Sequence, residues 1–464
     1  MNRVAVINVV GLSDKHIDAN MPFTQAFRSA GKQRYIDPAF PAVTCTAQSD
    51  YLTGKSPSSH GIVGNGWYNR ELAEIQFWKQ PNQLVQAPKI WETMRKKDES
   101  FTCAKVFWWY NMYSGANWSI TPRPIYPADG RKVFDIYTHP ATIRSDVQTD
   151  LGPFPFPGFW GPAAGVKTPQ GSAQCVSRWI ADSAIWLEKK HSPTLSLVYL
   201  PHLDYNLQRL GPNNSLISDD LRLIDEIIKD LINFYENREI QPILLSEYGI
   251  TEVNQAIHIN RILRESGWVT VKEELGLELL DPGASQAFAV ADHQVAHIYV
   301  NNKSILKEVR QRIEAINGVH SVLDSESKAE LGLQHQRAGD LIAVSNENAW
   351  FTYYYWLDAE FAPDFARTVD IHRKPGYDPV ELFLDPKLTF PKAKIATRLI
   401  QKKLGFRTLM DVIPLEAGLI KGSHGCRPKN RADWPLLISK SDIMSDKDDL
   451  SSTDVHEVII NALD

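Results

Sequence analysis

Polar residues that could bind a cation or react with a substrate lie at or directly after the apolar runs of this chain. Asn8 falls in the first run, Asp204 follows a second, and Glu247 and Tyr248 follow a third. An asparagine offers a carbonyl oxygen without negative charge, and a tyrosine binds a metal well only when it is deprotonated. Such an oxygen-rich set suits a hard cation such as Mg²⁺, Mn²⁺ or Ca²⁺ better than a pair of Zn²⁺ ions. Thr44 adds a hydroxyl, which is a poor nucleophile until its pKa is lowered.

These residues need a scaffold that brings distant segments together. The apolar runs 4–10, 194–200 and 242–245 predict strands buried on both faces. A helix between the last two is indicated by apolar residues at helical spacing, Leu221, Ile224, Ile228 and Leu231. Strands that alternate with helices predict an α/β fold with a mostly parallel central sheet, and ligands bind at the carboxyl ends of such strands.

Three regions depart from this alternation. The stretch 152–162 is rich in proline and aromatic residues and predicts a long ordered loop. Residues 296–345 are expected to form a small α+β cap or insertion within a core of residues 1–295 and 346–438. The polar segment 439–464 is predicted to be a flexible tail.

The composition of the chain indicates which classes of partner are expected. The 464 residues carry a net charge of −5, which gives no reason to expect a nucleic acid or a membrane as partner, and a small molecule is expected instead. The four cysteines match neither a disulfide framework nor a zinc knuckle. The sequence begins without the pattern of a signal peptide and lacks the roughly 20 consecutive apolar residues of a membrane helix. A cytoplasmic location is therefore expected.

Several segments occur in an order that is typical of one group of enzymes. The early segments are Phe40-Pro41-Ala42-Val43-Thr44, Tyr51-Leu52-Thr53-Gly54, and His60-Gly61-Ile62 followed by Asn65. The later segments are Phe107-Trp108-Trp109, Pro201-His202-Leu203-Asp204, Leu245-Ser246-Glu247-Tyr248-Gly249 and Gly422-Ser423-His424-Gly425. In this order and spacing, the chain resembles the alkaline phosphatase superfamily, nearest to the type I phosphodiesterase/nucleotide pyrophosphatase branch, and it is also similar to phosphonoacetate hydrolase.

The resemblance implies a three-layer α/β/α fold and a role for particular residues. Thr44 would be the nucleophile that forms a phospho-enzyme, and Asn65 would donate a hydrogen bond to the developing charge on an oxygen of the phosphoryl group. Divalent cations about 4 Å apart would activate the threonine and stabilise the leaving oxygen. The alternative interpretation of the sequence gives these two residues no catalytic role: Thr44 would be a turn or cap residue, and Asn65 a turn residue within Gly-Asn-Gly.

The metal-ligand positions depart from the family pattern. The resemblance implies a ligand set of Asn8, Thr44, Asp204, Gln208, Glu247, Tyr248 and a late histidine. His424 is the best match for the late position, and His372 is its rival because Gly376-Tyr377-Asp378 follows it. Asn8, Gln208, Glu247 and Tyr248 stand where the family has aspartate or histidine. One cation, two cations or none all remain compatible with this set.

Aromatic residues are candidates for contact with the substrate. The segment 107–113 is dense in aromatic rings and lies near the substrate groove in the family, so Trp109 and Tyr110 are candidates, together with Tyr68. A ring, a base or an isoprenoid group would pack there.

The leading hypothesis is a hydrolase of phosphate esters, a phosphodiesterase or pyrophosphatase of a small molecule. The alternative is a relative with a changed metal site that binds, transfers or isomerises a phosphorylated metabolite. A third alternative is a non-catalytic scaffold that uses its aromatic surface to bind a partner.

Overall fold

The computed structural model describes residues 1–165, 167–168, 171–172, 175–441, 443–444 and 447–464. Its centre is a nine-stranded sheet. The strands in spatial order are Asp449–Ser451, Lys32–Asp37, Leu436–Ser439, Gln241–Leu245, Val4–Val9, Leu195–Leu200, Cys103–Val106, Trp118–Pro122 and Ile136–His139.

The sheet is mostly parallel, as predicted. Val4–Val9 is central and pairs in parallel register with Leu195–Leu200 on one side and Gln241–Leu245 on the other. All six residues of Val4–Val9 are buried, because helices cover both faces of a sheet of this kind. Leu436–Ser439 and Ile136–His139 run antiparallel to their neighbours.

Thirteen α-helices are assigned in the part of the chain that the structure describes. They are Pro22–Ser29, Thr44–Thr53, Pro57–His60, Ile90–Lys97, Ile143–Leu151, Val176–His191, His202–Leu210, Ile217–Glu236, Ile259–Glu265, Leu306–Glu314, Ser325–Glu330, Pro391–Lys403 and Asp454–Leu463. The helix predicted between the second and third apolar runs is Ile217–Glu236, and its predicted apolar face is buried in the core. Among the described residues, no helix combines the length and the apolar character needed to cross a bilayer.

A second, antiparallel sheet has four strands. Its order is Ala287–Asp292, Val295–Val300, Leu341–Ser345, Val319–Leu323, and the helices Leu306–Glu314 and Ser325–Glu330 connect its strands. This α+β unit begins before the boundary predicted at 296, because Ala287–Asp292 pairs with Val295–Val300 in a hairpin. At the tip of the hairpin, His293 has a φ of +60°, a conformation typical of tight turns.

The remaining strands of the described residues form two-stranded sheets. They are Gly66–Asn69 with Glu74–Phe77, Thr251–Glu252 with Gly422–Ser423, Gln255–Ile257 with Ala349–Phe351, Val271–Glu274 with Leu277–Leu280, and Lys167–Thr168 with Gly171–Ser172.

The C-terminal segment differs from the flexible tail predicted from 439. Asp449–Ser451 adds a strand to the central sheet, and Asp454–Leu463 is a helix whose Val455, Val458 and Ile459 are buried. The polar stretch before the helix obscures its short apolar periodicity in the sequence. Residues 442, 445 and 446 of the predicted tail lie outside the described residues.

Candidate functional site

Thr44 lies where the carboxyl ends of the central strands meet the start of a buried helix. The helix Thr44–Thr53 begins after Val43, whose backbone is extended, and all its residues are buried. Thr44 is 3% exposed, and its Oγ1 lies 3.3 Å from the hydroxyl oxygen of Tyr248. The N-terminus of a helix carries partial positive charge, which favours an anion beside Thr44.

Glu247 is held by two side-chain amides. Asn8, near the end of the first strand, donates from Nδ2 to Glu247 Oε1 at 2.6 Å, and Gln48 donates from Nε2 to the same oxygen at 2.5 Å. The backbone N–H of Trp109 donates to Gln48 Oε1 at 2.6 Å, which fixes the orientation of that amide. Burial raises the pKa of Glu247 to about 8, and these hydrogen bonds oppose the rise.

Asp204 is held by two neutral donors. Gln208 donates from Nε2 to Asp204 Oδ2 at 2.7 Å, and the hydroxyl of Tyr248 donates to Asp204 Oδ1 at 3.3 Å. The two side chains meet because Gln208 follows Asp204 by one turn of the helix His202–Leu210. Tyr377 donates to Gln208 Oε1 at 3.1 Å and so holds the N–H groups of Gln208 toward Asp204. Burial raises the pKa of Asp204 to about 7.

A stack of four rings closes one side of the site. The ring centroids of Tyr377 and His293 are 3.6 Å apart, those of His293 and His424 are 3.7 Å apart, and those of His424 and Tyr248 are 3.6 Å apart. Nδ1 of His424 lies 2.7 Å from the carbonyl oxygen of Ala42, so this nitrogen is the donor and Nε2 is left as an acceptor. Burial lowers the pKa of His424 to about 3, and burial also holds the pKa of His293 well below its ordinary value, so both imidazoles are neutral at physiological pH.

The side chains at this site do not fit two zinc ions. Gln208 presents N–H groups to Asp204, and burial raises the pKa of the Tyr248 phenol well above its ordinary value, so neither is a good zinc ligand. In the part of the chain that is described, no group of three or more His, Cys, Asp or Glu side chains could hold a metal ion. By contrast, Asn8 Oδ1 and Glu247 Oε2 are buried acceptors without a hydrogen-bond partner, and together with Thr44 they fit one hard cation.

The structure brings together most of the predicted site residues. These are Asn8, Thr44, Asp204, Gln208, Glu247, Tyr248 and His424. His424 belongs to this group because its ring stacks on Tyr248, whereas Nδ1 of His372 lies 3.4 Å from the carbonyl oxygen of Phe77, outside this group.

Three other candidates lie away from Thr44 or have their polar groups occupied. Asn65 accepts a hydrogen bond from the backbone N–H of Cys45 at 3.1 Å and donates from Nδ2 to Asp292 at 3.1 Å, so its amide is occupied in joining the start of the helix Thr44–Thr53 to the α+β unit. Tyr68 packs edge-on against Phe288 in the α+β unit. Tyr110 is buried in a separate small cluster with Cys45.

A pocket of about 500 Å³, including its open mouth, adjoins Thr44. It is lined by Thr44, Trp78, Trp109, Phe159, Trp160, Tyr199, Asp204, Tyr205, Tyr248, His293, Ile371, Tyr377 and His424. The lining residues that the structure describes are mainly aromatic and include no lysine or arginine, so this part of the pocket suits an apolar or planar group.

Sequence reasoning identified Trp109 but missed most of this wall. Phe159 and Trp160 come from the loop 152–162, which was predicted to be ordered without an assigned role. Trp78 and Ile371 gave no signal in the sequence, because only the folded chain brings their loops to the site. Gln48 was also missed, although it follows Thr44 by one helical turn and therefore shares its face.

Comparisons with known proteins identify one family over most of the chain. Residues 4–378 match the family described as type I phosphodiesterase / nucleotide pyrophosphatase. No curated protein sequence matches the chain.

Solved structures support the fold. The chain is similar to mouse ectonucleotide pyrophosphatase/phosphodiesterase 5, solved as an inactive variant with AMP, at 13% identity and a TM-score of 0.58, covering 100% of this chain and 95% of that one. It is also similar to phosphonoacetate hydrolase from Sinorhizobium meliloti with phosphonoformate, at 14% identity and a TM-score of 0.61, covering 100% and 96%. At these identities the likeness establishes the fold alone.

Proposed function

Since the chain belongs to the type I phosphodiesterase / nucleotide pyrophosphatase family, we propose that it hydrolyses a phosphate ester with Thr44 as the nucleophile. Family and fold support hydrolysis of phosphodiester or pyrophosphate bonds in general. The observation that carries the finer proposal is the position of the Thr44 hydroxyl. It lines the aromatic pocket at the start of a helix and lies 3.3 Å from the hydroxyl of Tyr248.

In the proposed reaction, Thr44 Oγ1 attacks phosphorus while the ester oxygen of the leaving group departs with its electron pair. The proton of Thr44 passes through the hydroxyl of Tyr248 to Asp204, whose carboxylate accepts from that hydroxyl. A pKa of about 7 suits Asp204 to take up this proton and then return it to the leaving oxygen. Water then attacks the phosphorus of the phosphothreonine and the bond from phosphorus to Oγ1 breaks, which releases the second product. A proton of that water passes through Asp204 and Tyr248 to Oγ1 and restores the Thr44 hydroxyl.

A single divalent cation is part of this proposal. Asn8 Oδ1, Glu247 Oε2 and Thr44 Oγ1 would hold it, since the first two are buried acceptors without partners and the Thr44 side chain interacts with the Glu247 carboxyl. When bound, such a cation lowers the pKa of a coordinated hydroxyl and offsets negative charge on phosphorus.

The organic part of the substrate would occupy the aromatic pocket. Trp78 and Trp109 pack edge-on with ring centroids 5.0 Å apart, and Trp160 contacts Tyr377 with centroids 5.7 Å apart. These rings would exclude water from one side of the reacting phosphate and bury an apolar group. The α+β unit would act as a cap, because His293 at its hairpin tip lines the same pocket.

A second candidate function is binding, transfer or isomerisation of a phosphorylated metabolite without net hydrolysis. The observation that favours it is that Gln208 and Tyr248, which stand at histidine positions of the family pattern, both donate hydrogen bonds to Asp204. This candidate predicts ligand binding in the pocket without release of alcohol or phosphate.

The two candidates are separated by turnover of Thr44 variants on a panel of phosphodiesters and pyrophosphates with apolar leaving groups. Thr44→Ser keeps a hydroxyl and should retain measurable turnover, whereas Thr44→Ala should lose it by at least a hundredfold, as expected for removal of a nucleophile. Equal turnover of wild type and Thr44→Ala would overturn the nucleophile assignment. No turnover by wild type together with saturable ligand binding would favour the second candidate.

A further inference from the structure

Large apolar side chains are exposed in two segments that lie side by side. More than half of those exposed in the described part of the chain fall in residues 125–134 and 390–409. Leu404 is 69% exposed and Phe406 is 64% exposed. Single exposed apolar residues are ordinary, but a concentration of them marks an interaction surface. The two segments together are called the basic-apolar surface below.

The helix Pro391–Lys403 presents an unpartnered face. None of its residues is buried. It is anchored on its inner side, where Lys394 and Arg398 bind the carboxylate of Asp411 at 2.9 Å and 3.0 Å. On the outer side Leu399 and Ile400 are exposed, and the apolar surface continues through Leu404 and Phe406 just beyond the helix.

The second segment is a short hairpin that touches the first. Ile125 and Val133 pair through two backbone hydrogen bonds, and both side chains are exposed together with those of Tyr126 and Phe134. Arg407 donates from Nη2 to the carbonyl oxygen of Ala128 at 3.2 Å, which joins the two segments.

The charge of this surface is opposite to that of the whole chain. Residues 386–410 contain seven lysine and arginine residues and no acidic residue, although the chain has a net charge of −5. The small net charge led to the expectation of no membrane partner, but the local charge decides what this surface attracts. Exposed leucine, isoleucine and phenylalanine beside lysine and arginine form the pattern of elements that lie in the interface of an anionic bilayer.

We propose that the basic-apolar surface docks the protein onto an anionic lipid bilayer. The apolar side chains enter the headgroup region, and the lysines and arginines contact lipid phosphates and carboxylates. A second copy of the chain fits less well, because an isologous contact would set this basic stretch against itself.

The surface adjoins the pocket that contains Thr44. The ring of Phe134 stacks on Phe156 with centroids 4.7 Å apart, and Phe156 packs against Phe159, which lines the pocket. A lipid phosphoester in the bilayer would therefore lie near the pocket mouth. This last step rests on the proposed function, whereas the docking itself does not.

The experiment is co-sedimentation of the full chain with phosphatidylcholine vesicles containing either none or one third of phosphatidylserine, at physiological ionic strength. Wild type should bind the anionic vesicles and release them in high salt. Each lysine near the surface contributes about 1 kcal/mol, or about fivefold in partitioning, so Lys392→Glu/Lys403→Glu should lower binding at least twentyfold. Leu404→Ser/Phe406→Ser should also lower binding more than tenfold, through loss of buried apolar area.

Matched controls lie on another part of the surface. Lys307→Glu and Leu275→Ser change exposed residues outside the basic-apolar surface and should bind vesicles like wild type. Thr44→Ala should also bind like wild type, so a failure of the proposed catalysis leaves this test intact. Absence of wild-type binding to anionic vesicles, or equal binding by both surface variants, would overturn the proposal. Conversion of a wild-type dimer to a monomer by Leu404→Ser/Phe406→Ser would also overturn it, because the surface would then be an interface between copies.

Discussion

The amide of Gln208 donates a hydrogen bond from Nε2 to Asp204 Oδ2 at 2.7 Å. Tyr377 fixes that orientation by donating to Gln208 Oε1. A carboxylate at the carboxyl end of a parallel sheet is thus satisfied by a neutral amide and a phenol. The chain has the fold of the type I phosphodiesterase / nucleotide pyrophosphatase family, and neutral donors surround the carboxyl group of Asp204 beside Thr44.

The neutral donors around Asp204 should limit how much zinc the purified protein contains. Purified wild type is expected to contain well below two zinc ions per chain, because Gln208 and Tyr248 are poor zinc ligands. Gln208→His/Tyr248→His supplies two imidazoles and should raise the zinc content measured by elemental analysis. His372→Ala is the matched control and should leave it unchanged, since His372 lies outside the group. Two zinc ions per chain in wild type would refute this interpretation of the site.

Glu247→Gln tests the proposed single cation. The change removes the ionisable carboxyl oxygen but keeps an oxygen acceptor for Asn8 and Gln48. Without a cation the native carboxyl is mainly protonated at pH 7, because burial raises its pKa to about 8. The free energy of unfolding should therefore change by less than about 1 kcal/mol. Affinity for Mg²⁺ or Mn²⁺ measured by titration calorimetry should fall at least tenfold. Unchanged affinity would show that the cation binds elsewhere.

The raised pKa of Asp204 makes the free energy of unfolding depend on pH. Its pKa rises from 3.8 in the unfolded chain to about 7 in the fold, so the folded state holds a proton that the unfolded state has lost between these values. Stability from this group is complete below pH 4 and declines as the pH rises toward 7, by up to about 1.4 kcal/mol per pH unit. The free energy of unfolding of wild type relative to Asp204→Asn should therefore fall over this window and level off above it.

Urea unfolding of both proteins at a series of pH values measures this difference. The comparison with Asp204→Asn is needed because His424, whose pKa is lowered to about 3, acts in the opposite direction below pH 6.5. A difference that is independent of pH would mean that Asp204 is ionised throughout.

A substitution at Trp109 tests whether the aromatic pocket binds the organic part of the substrate. Trp109→Ala removes a ring from the wall and should weaken binding of a substrate with an apolar or planar group by about 1–3 kcal/mol, seen as a higher KM with a smaller effect on kcat. Tyr113 lies in the same loop and is 56% exposed, so Tyr113→Ala should leave KM unchanged. Equal KM values for both variants would place the organic group of the substrate outside this pocket.

The C-terminal helix provides a test of the fold. Ile459 is fully buried, so Ile459→Ala should lower the free energy of unfolding by about 2–4 kcal/mol. Asn461 is exposed on the same helix, and Asn461→Ala should change it by less than about 0.5 kcal/mol. Equal stability of the two variants in thermal unfolding would instead support the prediction from the sequence that this segment is a flexible tail.

The sequence predicts the site residues whose positions are determined by the end of a single strand. Asn8 lies near the end of an apolar run and Asp204, Glu247 and Tyr248 follow such runs. Parallel strands bring their carboxyl ends together, so the meeting of these residues near Thr44 was predictable. Trp78, Trp160 and Ile371 lie on loops whose path depends on long-range packing, which no local pattern encodes. The start of the α+β unit at Ala287 was missed for the same reason, since its first strand is defined only by its partner.

The central claim is that Thr44 forms a covalent bond to phosphorus. The direct test is rapid acid quenching of the protein during turnover of a phosphodiester, followed by peptide mass spectrometry. A phosphoryl adduct on Thr44 is expected to appear with substrate, to decay as substrate is consumed, and to move to the serine in Thr44→Ser. Turnover without any adduct on Thr44, together with full activity of Thr44→Ala, would contradict it.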